Sequence, residues 1–253
     1  MPVLEGIAQR RRDCAGVWLL RRHDFFGATL RLQFCIFYIF KGKIMHYIAL
    51  FLFFCFCITT NAQGVMSDKE SGTALLIVDI QNDYFPGGAM ELVGSQEAGK
   101  QAKQLLAAFR EKNMPVIHIQ HISMHPGATF FLPGTKGAEI HECVFPRQGE
   151  TIIQKHFPSS FRNTTLLEHL RDKKIHRLVI IGMMTHMCID TTTRAAADLG
   201  FECFLCHDAC ATRDLSFNNI TIPAKSVHNA FLASLNGVFA RVFSVKEFCE
   251  QWK

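Results

Sequence analysis

The sequence predicts a three-layer α/β/α sandwich built on a mainly parallel sheet. Three observations lead to it. From Thr73 onward, short apolar runs alternate with amphipathic stretches, which implies strands joined through helices by right-handed crossovers. The runs TALLIVD (73–79) and RLVII (177–181) are almost unbroken, as expected of strands covered on both faces. Of 253 residues, 49% are hydrophobic and 19% charged, which excludes an intrinsically disordered chain.

The elements follow in order. Thr73–Asp79 is the first strand. Ser95 to about Asn113 is a helix, with Leu105, Leu106 and Phe109 at helical spacing and Ser95 as its N-cap. Pro115–His121 is a strand, and Thr151–Lys155 a shorter one. Thr164–Lys173 is a helix capped by Thr164 or Asn163. Arg177–Ile181 is a buried strand, followed by a helix over Cys188–Leu199 that Gly200 stops. Phe201–His207 is a strand, about Pro223–Ala240 a helix, and Arg241–Ser244 the last strand. The Gly-, Pro- and His-rich segment Ser123–Glu150 reads as a long loop overhanging the active-site edge.

Charge is unevenly placed. Residues 1–43 hold eight Lys/Arg against three acids, which accounts for the whole formal excess of +5. The rest of the chain is neutral, so no basic face is expected and nucleic acid is not an expected partner. Ile44–Ile58 carries no Lys, Arg, Asp or Glu, and Lys41 and Lys43 precede it. A positive flank, a short apolar run and small residues at Thr60 and Ala62 describe a secretory signal cut after Ala62. The run is shorter than the ~20 residues of a spanning helix; an uncleaved anchor is the alternative. The expected organisation is a basic extension over 1–44, a signal peptide or anchor over 45–62, and the main α/β domain over 63–253. Met45 offers an alternative start codon. The protein is expected to be exported, periplasmic or secreted, if the signal is real, and cytoplasmic or membrane-anchored otherwise. Membrane contact is expected only through that segment.

In open parallel sheets, ligands bind beyond the carboxyl ends of the strands. Asp79, Lys155 and Cys188 all stand at such ends. Cys188 sits in a strand–turn–helix segment, where the helix N-terminus favours a thiolate. A thiol needs a base or a positive neighbour. His186 and His207 are near in sequence, but Asp79 is better placed to accept the proton, and Lys155 can keep that carboxylate ionised. Taken singly, Asp79 reads as a turn carboxylate, Lys155 as a surface lysine and Cys188 as a small core residue. Tyr84, Phe85, Phe130, Phe131 and His121 are candidates for the pocket wall.

These pieces resemble the isochorismatase-like cysteine hydrolases, a superfamily that includes nicotinamidases, N-carbamoylsarcosine amidases, ureidoacrylate amidohydrolases and streptothricin hydrolase. The segments carrying the resemblance are LLIVDIQNDYFPGGAMEL (75–92), FFLPGTKGAEIH (130–141), GETIIQKHFPSSFRNTTLLEHLR (149–171), GMMTHMCIDTTTRAAADLGF (182–201) and DACAT (208–212). They run in family order across the main domain. The resemblance implies a Rossmann-like fold and an Asp79–Lys155–Cys188 triad that cleaves a C–N bond of a small amide-type substrate through a thioester. It further implies a cis Met183–Met184 bond, an oxyanion site at the backbone N–H groups of Met184 and Cys188, and a homo-oligomer. No cofactor is expected.

Departures from the family narrow the reading. Nicotinamidases of the family bind a metal through an Asp-x-His pair and a second His. Here the stretch His118–His125 has Gln120 at the Asp position, so no metal is expected and His121 reads as pocket wall. Cys203, Cys206 and Cys210 are spaced C-x₂-C-x₃-C, but Cys203 and Cys206 face opposite ways on a strand and no fourth ligand is suitably spaced, which suits core packing. True isochorismatases cleave a vinyl ether and lack the cysteine, so Cys188 favours a C–N bond. A vinyl-ether hydrolase and a non-catalytic binding protein on the same fold are the alternatives. A serine hydrolase would need G-x-S-x-G, which the sequence lacks.

Overall fold

The computed structural model describes residues 71–252; the readings made for residues 1–62 lie outside them. Six strands form one wholly parallel sheet: β1 (Thr73–Val78), β2 (Val116–His121), β3 (Thr151–Lys155), β4 (Arg177–Met183), β5 (Glu202–Ala211) and β8 (Arg241–Phe243). Their order across the sheet is β3-β2-β1-β4-β5-β8. The chain winds outward from β1 to one edge, then returns to β4 and winds to the other. The order therefore reverses between β1 and β4, where a crevice opens at the strand ends.

Period-two alternation explains how both faces are filled. In β1, Leu75 and Ile77 enter one core, and Ala74, Leu76 and Val78 the other. The first core is closed by α1 (Ser95–Glu111) and α5 (Val245–Gln251), through Leu105, Leu106, Phe109 and Phe248. The second is closed by α2 (Leu166–Asp172), α3 (Asp190–Asp198) and α4 (Ala224–Leu235), through Leu166, Leu170, Ala196 and Leu232. Cys203 and Cys206 lie in opposite cores. Among the described residues no helix is long and apolar enough to cross a membrane.

Several boundaries differ from the sequence reading. Ser95 does not cap α1; Gly94 holds the N-cap at φ 79° and Ser95 is a buried first-turn residue. Neither Thr164 nor Asn163 is the N-cap of α2, which falls on Thr165, although the Thr164 hydroxyl accepts the Leu166 N–H. β5 runs on to Ala211 through an irregularity in its pairing with β4. Two elements were missed although their signals are readable. Ser244 and Glu247 form a capping box at the start of α5. Asn218 and Asn219, at φ 50° and 61°, turn the hairpin of β6 (Leu215–Phe217) and β7 (Ile220–Ile222).

The long segment after β2 is stitched to the sheet. The Asn82 N–H donates to Glu139 O and the His141 N–H to Ile80 O. At its far end Glu150 accepts from Arg110 through both oxygens, at 2.7 and 2.8 Å, and Oε2 lies 3.0 Å from His118 Nε2. Partial burial alone would raise the Glu150 carboxyl. The bonds from Arg110, the Arg147 N–H and His118 outweigh it and hold the pKa down to about 2.

Two outcomes follow. A folded-state pKa below the unfolded value stabilises the protein above the unfolded pKa and is lost as pH falls through the folded one. The stability advantage of wild type over Glu150→Gln should therefore be full above pH ~4.5 and vanish towards about pH 2, read by urea unfolding across that range. Gly182 has φ +131°, and a Cβ there would sit 1.9 Å from Val78 O. Gly182→Ala should cost about 3 kcal/mol, measured as a lower urea midpoint with unchanged slope.

Candidate active site

Three strand ends converge on the crevice beside β1. Asp79 follows β1 directly and takes φ 51°, which turns the chain off the sheet. Lys155 is the last residue of β3, with His121 of β2 as its register partner. β4 ends at Met183, the Met183–Met184 peptide bond is cis, and a π-helical turn over Thr185–Ile189 carries Cys188. That turn is pinned from behind. The Thr185 hydroxyl donates to Ala211 O at 3.2 Å and lies 2.9 Å from His228 Nδ1.

The Lys155 ammonium occupies the centre. Its Nζ donates to His121 Nδ1 at 2.9 Å, Phe157 O at 3.1 Å and Cys188 Sγ at 3.2 Å. It also lies 2.7 Å from Asp79 Oδ2. That contact is a fully buried ion pair. Asp79 and Lys155 are fully buried and Cys188 is 4% exposed. Carboxylate oxygen, imidazole nitrogen and sulfur all lie within 4.8 Å of one another.

Burial sets the electrostatics. It pushes the Cys188 thiol up, the Asp79 charge pushes the same way, and Lys155 opposes both. The surroundings therefore keep the proton on sulfur at rest, contrary to the thiolate expected from the helix terminus. Burial works to lower the Lys155 pKa, but Asp79 and Cys188 beside it raise it on balance, so the ammonium stays charged. Burial and then Lys155 lower His121 to about 4. A neutral His121 facing a donor must accept at Nδ1 and carry its hydrogen on Nε2.

The aromatic candidates divide. Phe131, at φ 55° and fully buried, packs on Tyr84 with centroids 4.5 Å apart and on His121 at 5.9 Å. Phe130 closes the group 5.0 Å from Phe131. Phe85 does not join them. Its ring stacks on His141 at 3.5 Å and packs over Gly99 of α1, so it is a core side chain. His186 bonds to Thr212, and His207 lines a separate cavity of about 250 Å³; neither serves Cys188.

Two positioning residues escaped the sequence reading. Gln81 is fully buried, donates to His121 O at 2.9 Å and Ala138 O at 2.7 Å, and accepts the His121 N–H at 2.7 Å. Asp83 accepts the Phe131 N–H at 2.6 Å. Both sit in IQNDY (80–84); polar residues just past a wholly buried strand were the available signal.

A metal of the nicotinamidase kind does not fit these side chains. The Gln120 amide donates to Ala138 O and its oxygen accepts from Gln154. His118 meets Glu150 on one face of β2, whereas His121 meets Lys155 on the other. The ammonium already fills the space between Asp79, His121 and Cys188.

The Isochorismatase domain family matches residues 73–247. The chain belongs to the isochorismatase family. The isochorismatase family protein YddQ of Bacillus subtilis is 49% identical over 176 residues, covering 70% of this chain and 98% of its own. Streptothricin hydrolase of Streptomyces noursei is 34% identical over 142 residues, 56% of this chain and 50% of that one. The isochorismatase-family crystal structure from Oleispira antarctica superposes with a TM-score of 0.70 at 48% identity, covering 74% of this chain and all (100%) of that one. The protein is thus an isochorismatase-family hydrolase with an α/β fold.

Removing one member of a buried pair leaves an uncompensated charge, at a cost of about 3–5 kcal/mol. Lys155→Met should lose about that much stability in urea unfolding at pH 7. Asp79→Asn combined with Lys155→Met should lose less than Lys155→Met alone, because the stranded carboxylate is gone.

Proposed function

We propose that the protein hydrolyses a C–N bond (amide, ureido or cyclic amide) of a small molecule through a thioester on Cys188. The observation that carries this reading is the Lys155 ammonium set 2.7 Å from Asp79 and 3.2 Å from Cys188. Asp79 takes the thiol proton as sulfur attacks the carbonyl. Lys155 stabilises the charge left on sulfur. The N–H groups of Met184 and Cys188 hold the oxyanion; one such donor is typically worth about 10²–10³ in rate. Asp79 then passes its proton to the departing nitrogen. Water, activated by the freed carboxylate, releases the acid and restores the thiol. Exclusion of bulk water strengthens each of these electrostatic effects.

The aromatic group Tyr84, Phe130 and Phe131 suits a flat or cyclic amide beside the sulfur. Vinyl-ether cleavage gives no role to an acyl-accepting thiol, which disfavours that alternative. A pure binding protein would gain nothing from burying the Asp79 and Lys155 charges, whose desolvation costs stability.

The test is a panel of small amides, ureides and cyclic imides assayed for ammonia or acid release, with Cys188→Ala and Asp79→Asn alongside. Hydrolysis should fall at least about 10³-fold in Cys188→Ala. Acid-quenched turnovers should show an acyl adduct on the Cys188 peptide by mass spectrometry. Cys188→Ala turning over at the wild-type rate would reject the thioester route.

A further inference from the structure

We infer that the site selects a substrate carrying a carboxylate beyond its scissile bond, and that Arg213 and the Tyr84 hydroxyl are the specificity-determining groups that hold it. This rests on the thioester reading above and names a substrate class for it. Two polar groups on one wall of the crevice carry the argument. The first is the Tyr84 hydroxyl. The side chain is 1% exposed, yet its hydroxyl makes no hydrogen bond to another described residue. A buried hydroxyl ordinarily has a partner. The ring packs on Phe131, which packs in turn on His121 beside Lys155. Burial, and after it the Cys188 and Asp79 charges, push the hydroxyl's pKa up. It therefore keeps its proton and stands beside the sulfur as a donor without an acceptor.

The second group is Arg213. It is exposed, and its guanidinium donates only to Asp214 O, at 3.4 Å. Backbone bonds fix where it leaves the sheet. The Leu92 N–H donates to Tyr84 O and the Val93 N–H to Thr212 O, both at 3.0 Å. The Thr212 hydroxyl lies 2.5 Å from His186 Nδ1 on the Cys188 turn. Arg213 follows Thr212, so it stands where the Tyr84 segment and the Cys188 turn meet. Its charge acts on both, on Tyr84 against burial and on His186 after burial.

The acids around this wall are already engaged. Asp79 pairs with Lys155 and Asp190 with Arg194. Asp83 accepts the Phe131 and Ala89 N–H groups, and Asp214 accepts the Ala224 N–H. Asp79 and Lys155 offset each other, and burial keeps His121 and His186 neutral. The Arg213 charge is thus left over at the crevice. A guanidinium binds a carboxylate through two parallel bonds, and the phenol adds a third. A substrate with no anionic group would leave both donors unmatched.

The test needs no known substrate. Full-length protein is alkylated beside glutathione with iodoacetate or iodoacetamide, and with the longer pair 3-iodopropanoate and 3-iodopropanamide. The Cys188 peptide is followed by mass spectrometry. The acid-to-amide rate ratio divides out any change in the sulfur itself. At Cys188 it should exceed the glutathione ratio by about 10–100-fold for at least one length. Arg213→Gln, at an exposed position, should lower it about 10-fold or more. Tyr84→Phe, which keeps the ring, should lower it at least about 3-fold. A wild-type ratio equal to that of glutathione at both lengths, or one that Arg213→Gln leaves unchanged, would overturn the inference. One unmoved by Tyr84→Phe would strike the hydroxyl from it. Should the sulfur resist all four reagents, calorimetric titration decides. Succinamate should then bind wild type at least about 10-fold more tightly than succinamide and lose that margin in Arg213→Gln; equal binding overturns the inference. An acyl adduct on Cys188 with no preference for the acid would leave the thioester reading standing and sink this one alone.

Discussion

A single buried ammonium organises this protein's site. Lys155 lies with no solvent exposure, where an unpaired charge would cost several kcal/mol. The Asp79 carboxylate and the acceptors at His121, Phe157 and Cys188 replace the lost water. The arrangement holds a base, a cation and a sulfur close together, with the cation between the other two. The cation is near enough to both to stabilise negative charge on either, at 2.7 Å from the acid and 3.2 Å from the sulfur.

The scaffold makes that closeness possible through register. Asp79, Lys155 and Cys188 are far apart in sequence, and parallel pairing brings their strand ends to one edge. β2 lies between β1 and β3, so Lys155 must reach past its end, and His121 stands at that end to receive it. The reversal of strand order between β1 and β4 leaves the gap into which the Cys188 turn descends. Gly182 is required just before it, since Val78 O leaves no room for a Cβ.

Reactivity and stability pull against each other here. Burial removes water from the Asp79 and Lys155 charges, unfavourable for folding taken singly. The two cores on either side of the sheet absorb that cost, with every residue of β1 buried. Polar residues just beyond the strands, Gln81 and Asp83, tie the backbone of His121 and Phe131 to the end of β1. The Phe131 ring is thus fixed by a hydrogen bond to its main chain as well as by ring contacts.

Much of this was legible in the residues. Apolar period-two runs bounded by helical patterns determined the α/β/α layers, and reactive residues at three strand ends marked Asp79, Lys155 and Cys188. These are local signals, set by side-chain periodicity and by chain direction in a parallel sheet. Phe85 turned the other way because one residue of rotation separates it from Tyr84, and adjacent side chains diverge. The direction of the Cys188 shift, the grip of Gln81 on His121 and the set of partners around the Lys155 ammonium belong to the tertiary structure alone. Each depends on which groups share a water-free volume and at what angle, and neither burial nor angle is written in the order of residues.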